Sequence, residues 1–234
     1  MEYQEIMDRL KSMFSEGNRK GMTRFGINIE KAYGVPIPFI RKMARRIEKN
    51  HTLAQELWSS GVHEARILAG LVDEVDKVTE KQMDEWVKDF DSWDLCDQVC
   101  SNLFDKTPFA YKKVIEWSSE KKEFIKRAGF VLIACLAVHD KSADDKTFEQ
   151  FFSIIKRDAY DKRNFVKKAV NWALRQIGKR SITLNHKAIS LSNEIEELDS
   201  EAAKWIAKNA LSELKSEKIQ MRLKEYKSKN LKIL

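Results

Sequence analysis

Phe124-Ile125-Lys126-Arg127-Ala128 returns 41 residues later as Phe165-Val166-Lys167-Lys168-Ala169. An aromatic, an aliphatic, two cations and a small residue in the same order, each opening an apolar helical stretch, form the unit of a repeat. Ala202-Ala203-Lys204-Trp205-Ile206-Ala207-Lys208 extends the rhythm less clearly. A period near 40 residues is that of two-helix solenoid repeats, in which each unit buries its apolar face only against its neighbours. The reading that decides the fold is therefore an all-α chain: an α-solenoid of stacked antiparallel helix pairs.

The rest of the 234-residue chain agrees. Met83, Trp86, Val87 and Phe90 follow the i, i+3, i+4, i+7 spacing of an amphipathic helix, as do Phe148, Phe151, Phe152 and Ile155. Interruptions are short and rich in turn formers: Ser15-Glu16-Gly17-Asn18, Gly34-Val35-Pro36-Ile37-Pro38, Thr107-Pro108 and Lys141-Ser142-Ala143-Asp144. With only 8 Gly and 3 Pro, the composition disfavours a turn-dense sheet protein. About a dozen helices in one continuous domain, residues 1–234, are expected, with no strand. The longest uncharged apolar run, Ala128 to Val138, is too short for a bilayer, and Met1-Glu2-Tyr3-Gln4-Glu5 does not resemble a signal peptide. A cytoplasmic protein is the expectation.

Three cysteines, Cys96, Cys100 and Cys135, exclude a fully paired disulfide framework. With the histidines scattered, they read as buried small apolar residues rather than metal ligands. Neither metal nor cofactor is expected. The net charge of +7 is concentrated: residues 156–180 hold nine basic side chains against Asp158 and Asp161. Such a segment is either a surface for a polyanion or a solvated helix face.

Three places fit packing poorly. On the helix expected from Asp161 to Lys179, Trp172 falls ~120° from Val166 and outside the apolar arc, on a side shared with Lys168, Arg175 and Lys179. Aromatic and cationic side chains interleaved in this way suit nucleic acid, although the ring would also pack against an adjoining repeat. Trp93 and Asp97, four residues apart, are neighbours at the edge of the buried arc of their helix: a site, or a packing residue beside a solvated carboxylate. Arg127, near the start of the most apolar helix, stands where free N–H groups favour a phosphate, or is a surface arginine whose stem lies along the helix end.

Trp93-Asp94-Leu95-Cys96-Asp97, Phe124-Ile125-Lys126-Arg127-Ala128 and Lys168-Ala169-Val170-Asn171-Trp172-Ala173-Leu174-Arg175, in that order, resemble the AlkD family of DNA alkylation-repair glycosylases. Tyr33-Gly34-Val35-Pro36-Ile37-Pro38-Phe39-Ile40-Arg41 is similar to that family's Gly-x-x-x-Pro-x-x-Arg segment. The resemblance spans nearly the whole chain. It implies HEAT-like repeats whose concave face grips double-stranded DNA containing alkylated bases, and a monomeric enzyme. The reaction implied is hydrolysis of the N-glycosidic bond of cationic N3- and N7-alkylated purines, without extrusion of the base into a pocket. Asp97 then matches the catalytic carboxylate, and Trp93 and Trp172 the aromatic pair beside the deoxyribose. Arg127 matches a phosphate-holding residue and Arg175 a further backbone contact, with Lys168 and Lys179 on the same side of their helix. Phe25 stands where the family often has Tyr, and Cys96 where it often has Val. A non-catalytic scaffold binding nucleic acid or protein is the competing expectation. A metal-dependent nuclease lacks a ligand cluster.

Overall fold

The computed structural model describes residues 1–230, with side chains through Glu225, and every regular element among them is helical. The chain divides into two compact units, Met1–Lys112 and the chain from Lys113 on.

The first unit holds α1 (Tyr3–Ser12), α2 (Glu16–Arg24), α3 (Ile37–Ala44), α4 (His51–Ser59), α5 (His63–Val72), α6 (Glu80–Trp86) and α7 (Trp93–Asn102). Helix α8 (Ala110–Ser118) carries the boundary. The second unit continues with α9 (Glu123–His139), α10 (Asp145–Glu149), α11 (Phe151–Asp158), α12 (Asn164–Gly178), α13 (Ile182–Glu196), α14 (Glu201–Leu214) and α15 (Glu217–Asn230). No helix among the described residues is long and apolar enough to cross a membrane.

Helix starts follow local chemistry. Ser15, Asn50, Thr79, Asp144, Ser181 and Ser200 each accept the backbone N–H three residues on, satisfying one of the free donors of a first turn. Two spans read as single helices are divided: α10 gives way to α11 at Gln150, between Phe148 and Phe151, and α6 passes into a 3-10 turn at Val87–Asp89, so Phe90 lies beyond it.

In the first unit α4 packs on α5, and α5 on α3 and α7. Gly70 permits the close approach of α5 to α7, because a Cβ there would already stand 3.3 Å from Val99. Trp58 and Trp86 stack face to face at 3.9 Å within this core. The loop before α3 is fixed from α5: the buried Glu64 carboxylate accepts the backbone N–H groups of Tyr33, Gly34 and Val35, the shortest bond being 2.6 Å, from Gly34. Gly34 is required here twice over, since its φ is +80° and a Cβ would lie 2.6 Å from the Ser15 carbonyl oxygen.

In the second unit α9 packs along α12, and α14 packs on both α12 and α13. The two copies of the repeated motif meet: the Phe124 and Phe165 rings lie 5.5 Å apart. Side-chain bonds between elements join residues at repeat-like separations, as in Lys156 with Glu194 and Arg175 with Glu213, both 38 apart. Cys96, Cys100 and Cys135 are all buried, as read from the sequence.

Candidate functional site

The first unit presents Trp93 and Asp97 on successive turns of α7, both half-buried. The indole is pinned, its Nε1–H donating to the Phe25 carbonyl oxygen at 3.0 Å. A second strap reinforces the first, with Asn28 Nδ2 donating to Asp91 Oδ2 at 2.8 Å. Residues 25–28 are thus tied to the approach of α7, and the Phe25 ring is left 69% exposed beside Trp93. The position assigned to Phe25 as a nucleic-acid contact is an accessible one; its carbonyl, however, serves Trp93.

The first turn of α7 is also held by a buried histidine–carboxylate pair. His63 Nε2, on the opening residue of α5, lies 2.9 Å from Asp94 Oδ2. Burial pushes the His63 pKa down, but the hydrogen bond to Asp94 and the carboxylates of Asp94, Glu64 and Asp91 outweigh it and hold it above the ordinary value. Asp94 Oδ1 is buried with no hydrogen-bond partner among the described residues. One residue past Asp97, Gln98 Oε1 accepts from Arg41 Nη2 at 3.2 Å, which ties the cationic helix α3 to α7.

The second unit carries the remaining residues, on α9 and α12. Arg127 is 5% exposed, and its Nη1 donates to the Phe165 carbonyl oxygen at 2.6 Å. Neither sequence alternative described this: the guanidinium is a buried link between α9 and α12 rather than a surface group. Next to it Lys126 reaches Asp158 at 2.6 Å. On α12, Trp172 is half-buried and Lys168 exposed. Arg175 and Lys179 share one carboxylate, Glu213 of α14, with the Lys179 bond at 2.6 Å. Burial pushes the Glu213 carboxyl up, but the Lys179 hydrogen bond and the Arg175 charge hold it below its ordinary range.

The basic segment is therefore less available than its composition implied. Lys156 pairs with Glu194 and Arg157 with Asp158; Arg163 pairs with Asp161. Lys167 lies over the Trp205 ring at 4.7 Å, and Arg180 over Phe148 at 4.2 Å. Of the nine cations, Lys162 and Lys168 alone form no such contact among the described residues, and both are exposed. His63, Gln98 and Glu213 escaped sequence reasoning. Each acts through a partner 31 to 57 residues away, and no short-range pattern marks such a pairing.

Chemically, unit one offers a carboxylate beside a fixed indole and an exposed aromatic, and unit two an indole and a lysine on a helix of otherwise committed cations. Comparison with known proteins bears on both. A solved structure described as "a new family of proteins related to the HEAT-like repeat DNA glycosylases with affinity for branched DNA structures" superposes with a TM-score of 0.75 at 20% identity, over 89% of this chain and 93% of that one. At that identity the likeness speaks for the HEAT-like helical-repeat fold. A designed armadillo repeat protein in complex with a (KR)4 peptide reaches a TM-score of 0.36 at 15% identity, over 80% and 79%, too low to carry an argument. No curated protein matches the chain. A family model described as DNA alkylation repair enzyme matches residues 6–214, and the chain belongs to that family.

Proposed function

We propose that this protein is a monofunctional DNA glycosylase that hydrolyses the N-glycosidic bond of cationic N3- and N7-alkylated purines in duplex DNA, without a base-flipping pocket. The observation that carries the reading is the half-buried Asp97 one helical turn from Trp93, whose indole is locked by the Phe25 carbonyl.

The chemistry needs little more. An N7- or N3-alkylpurine already bears positive charge, so when the C1′–N bond breaks the base keeps the electron pair and leaves neutral, without a general acid. The charge passes to the sugar as an oxocarbenium-like species. The Asp97 carboxylate stabilises that charge, orients a water toward C1′ and takes its proton as the new C–O bond forms. An indole face favours a cationic sugar and excludes bulk water. Each such contribution is worth a few kcal/mol, roughly 10²- to 10³-fold in rate. Trp172 and Lys168 supply the second unit's share of the contact with the duplex.

The test is incubation with duplex DNA containing N7-methylguanine. Wild type should release the base without added metal, and Asp97→Asn should lose at least ~10²-fold in single-turnover rate while still binding the duplex. A DNA-binding scaffold is the second reading. It is favoured by the solved structure of the same fold, which is described as having affinity for branched DNA structures. Duplex binding by wild type with no base release would establish it.

A further inference from the structure

Helix α3 and the two residues after it carry a cluster of positive charge to which the sequence reading gave no role. Arg41 and Lys42 fall in its last turn, with Arg45 at its C-cap and Arg46 next; all four are exposed. Continued at 100° per residue they cover an arc of ~140°, opposite the buried Ile40, Met43 and Ile47. Among the described residues none reaches a carboxylate: Arg41 Nη2 donates to Gln98, and Arg45 Nε to the Arg41 carbonyl oxygen at 3.4 Å. Lys49, further along, is different, because its ammonium caps the end of α5 through the carbonyl oxygens of Leu71 and Asp73.

Two edges of this face have distinct surroundings. Lys42 and Arg46 border a shallow cleft shared with Arg9 of α1. Arg41 and Arg45, one turn apart, form the other edge, and the bond to Gln98 sets the Arg41 guanidinium beside the α7 turn that bears Asp97. Guanidinium groups present forked donors suited to phosphate oxygens, and four unneutralised cations on one face favour a polyanion. Cations at a helix C-terminus also interact favourably with its dipole, and that contribution would require no ligand.

We propose that the cationic face of α3 binds the sugar–phosphate backbone of duplex DNA, with Arg41 and Arg45 clamping the phosphates next to the nucleotide that Asp97 addresses. This rests on duplex DNA being the ligand of the α7 site. It adds a phosphate contact in the first unit, where the sequence reading had placed the cations in the second.

The experiment is fluorescence anisotropy of an undamaged labelled duplex across a salt series, with thermal melts of every variant. Each neutralised phosphate contributes about −0.9 to the slope of log K against log salt. Arg41→Gln/Arg45→Gln should reduce the magnitude of that slope by about 2 and weaken binding at least ~10-fold at low salt. Arg41→Lys/Arg45→Lys should retain the slope, and Lys187→Gln/Lys204→Gln, removing two charges already paired with Glu149 and Glu201, should leave it unchanged. A lower melting temperature with an unchanged slope would overturn the proposal in favour of the dipole alone, as would failure of wild type to bind the duplex. Because the duplex is undamaged, the readout is separate from base release. A changed slope in a protein that releases no base would uphold the α3 contact and remove the glycosylase.

Discussion

Residues 156–180 and helix α3 present opposite relations between charge in the sequence and charge at the surface. The first holds nine cations in 25 residues, yet seven are engaged by carboxylates, ring faces or carbonyl oxygens within the second unit. The second, with the two residues after it, holds four cations in six residues, and none has an acidic partner among the described residues. In the first, Asp158 and Asp161 neutralise two of the cations locally, while Glu194 and Glu213 lie on α13 and α14, one repeat further along the chain. A solenoid brings residues about 40 positions apart into contact, so the charge that meets a ligand is what remains after neighbouring repeats have taken their share.

The largest expected effect tests how firmly the committed charges are held. Asp158→Ala removes the carboxylate shared by Arg157 and the largely buried Lys126, leaving Lys126 with Asp161 at 4.0 Å, and should cost about 3 kcal/mol in urea unfolding. A cost below about 1 kcal/mol would mean that the cations of this segment are held less tightly than their pairing indicates. Glu213→Gln asks the converse. Freed from their carboxylate, Arg175 and Lys179 should raise duplex affinity about 10-fold at low salt and steepen the salt slope by about 1 to 2. An unchanged slope would place both cations outside the DNA contact. Lys168→Glu, at an uncommitted position, should weaken binding and flatten the slope by about 1, whereas Lys156→Gln, already paired with Glu194, should do neither.

The buried pair beneath α7 gives a smaller, pH-dependent effect. The folded protein holds the His63 proton more tightly than the unfolded chain does. The pair's contribution is therefore complete at pH below about 6.5 and is lost as pH rises through the elevated value. The melting temperature of wild type should exceed that of His63→Gln most at acid pH, with the gap narrowing as pH rises above about 6.5. A gap that widens with pH would show that the pair is held with a neutral imidazole. Smallest of all, Arg46→Gln should change stability by less than about 0.5 kcal/mol, because nothing inside the protein depends on it.

Helical periodicity and the Phe124/Phe165 repeat made the fold legible, because both are local patterns that survive without knowledge of partners. The repeat even marked a physical contact, the two rings at 5.5 Å. Trp172 read off the wheel as a residue outside the apolar arc, and it is half-buried on a helix whose arc is buried as expected. The burial of Arg127 was not legible, because one of its acceptors is a backbone carbonyl and every residue carries one. The lock on Trp93 is equally silent, since Phe25 supplies a main-chain oxygen and any residue there would do the same. The exposure of α3 was missed because counting charges in a window rewards length of segment over absence of partners.

The Glu64 carboxylate, which gathers the N–H groups of Tyr33, Gly34 and Val35, bears on how the chain is made. During synthesis the loop before α3 is complete about thirty residues before its anchor is added. Until Glu64 emerges, three backbone donors are satisfied only by water and Gly34 samples both signs of φ. The orientation of α3, and with it the direction in which Arg41 and Arg45 point, is settled only once α5 exists. In the order of translation, the helix that the basic face depends on is the later one.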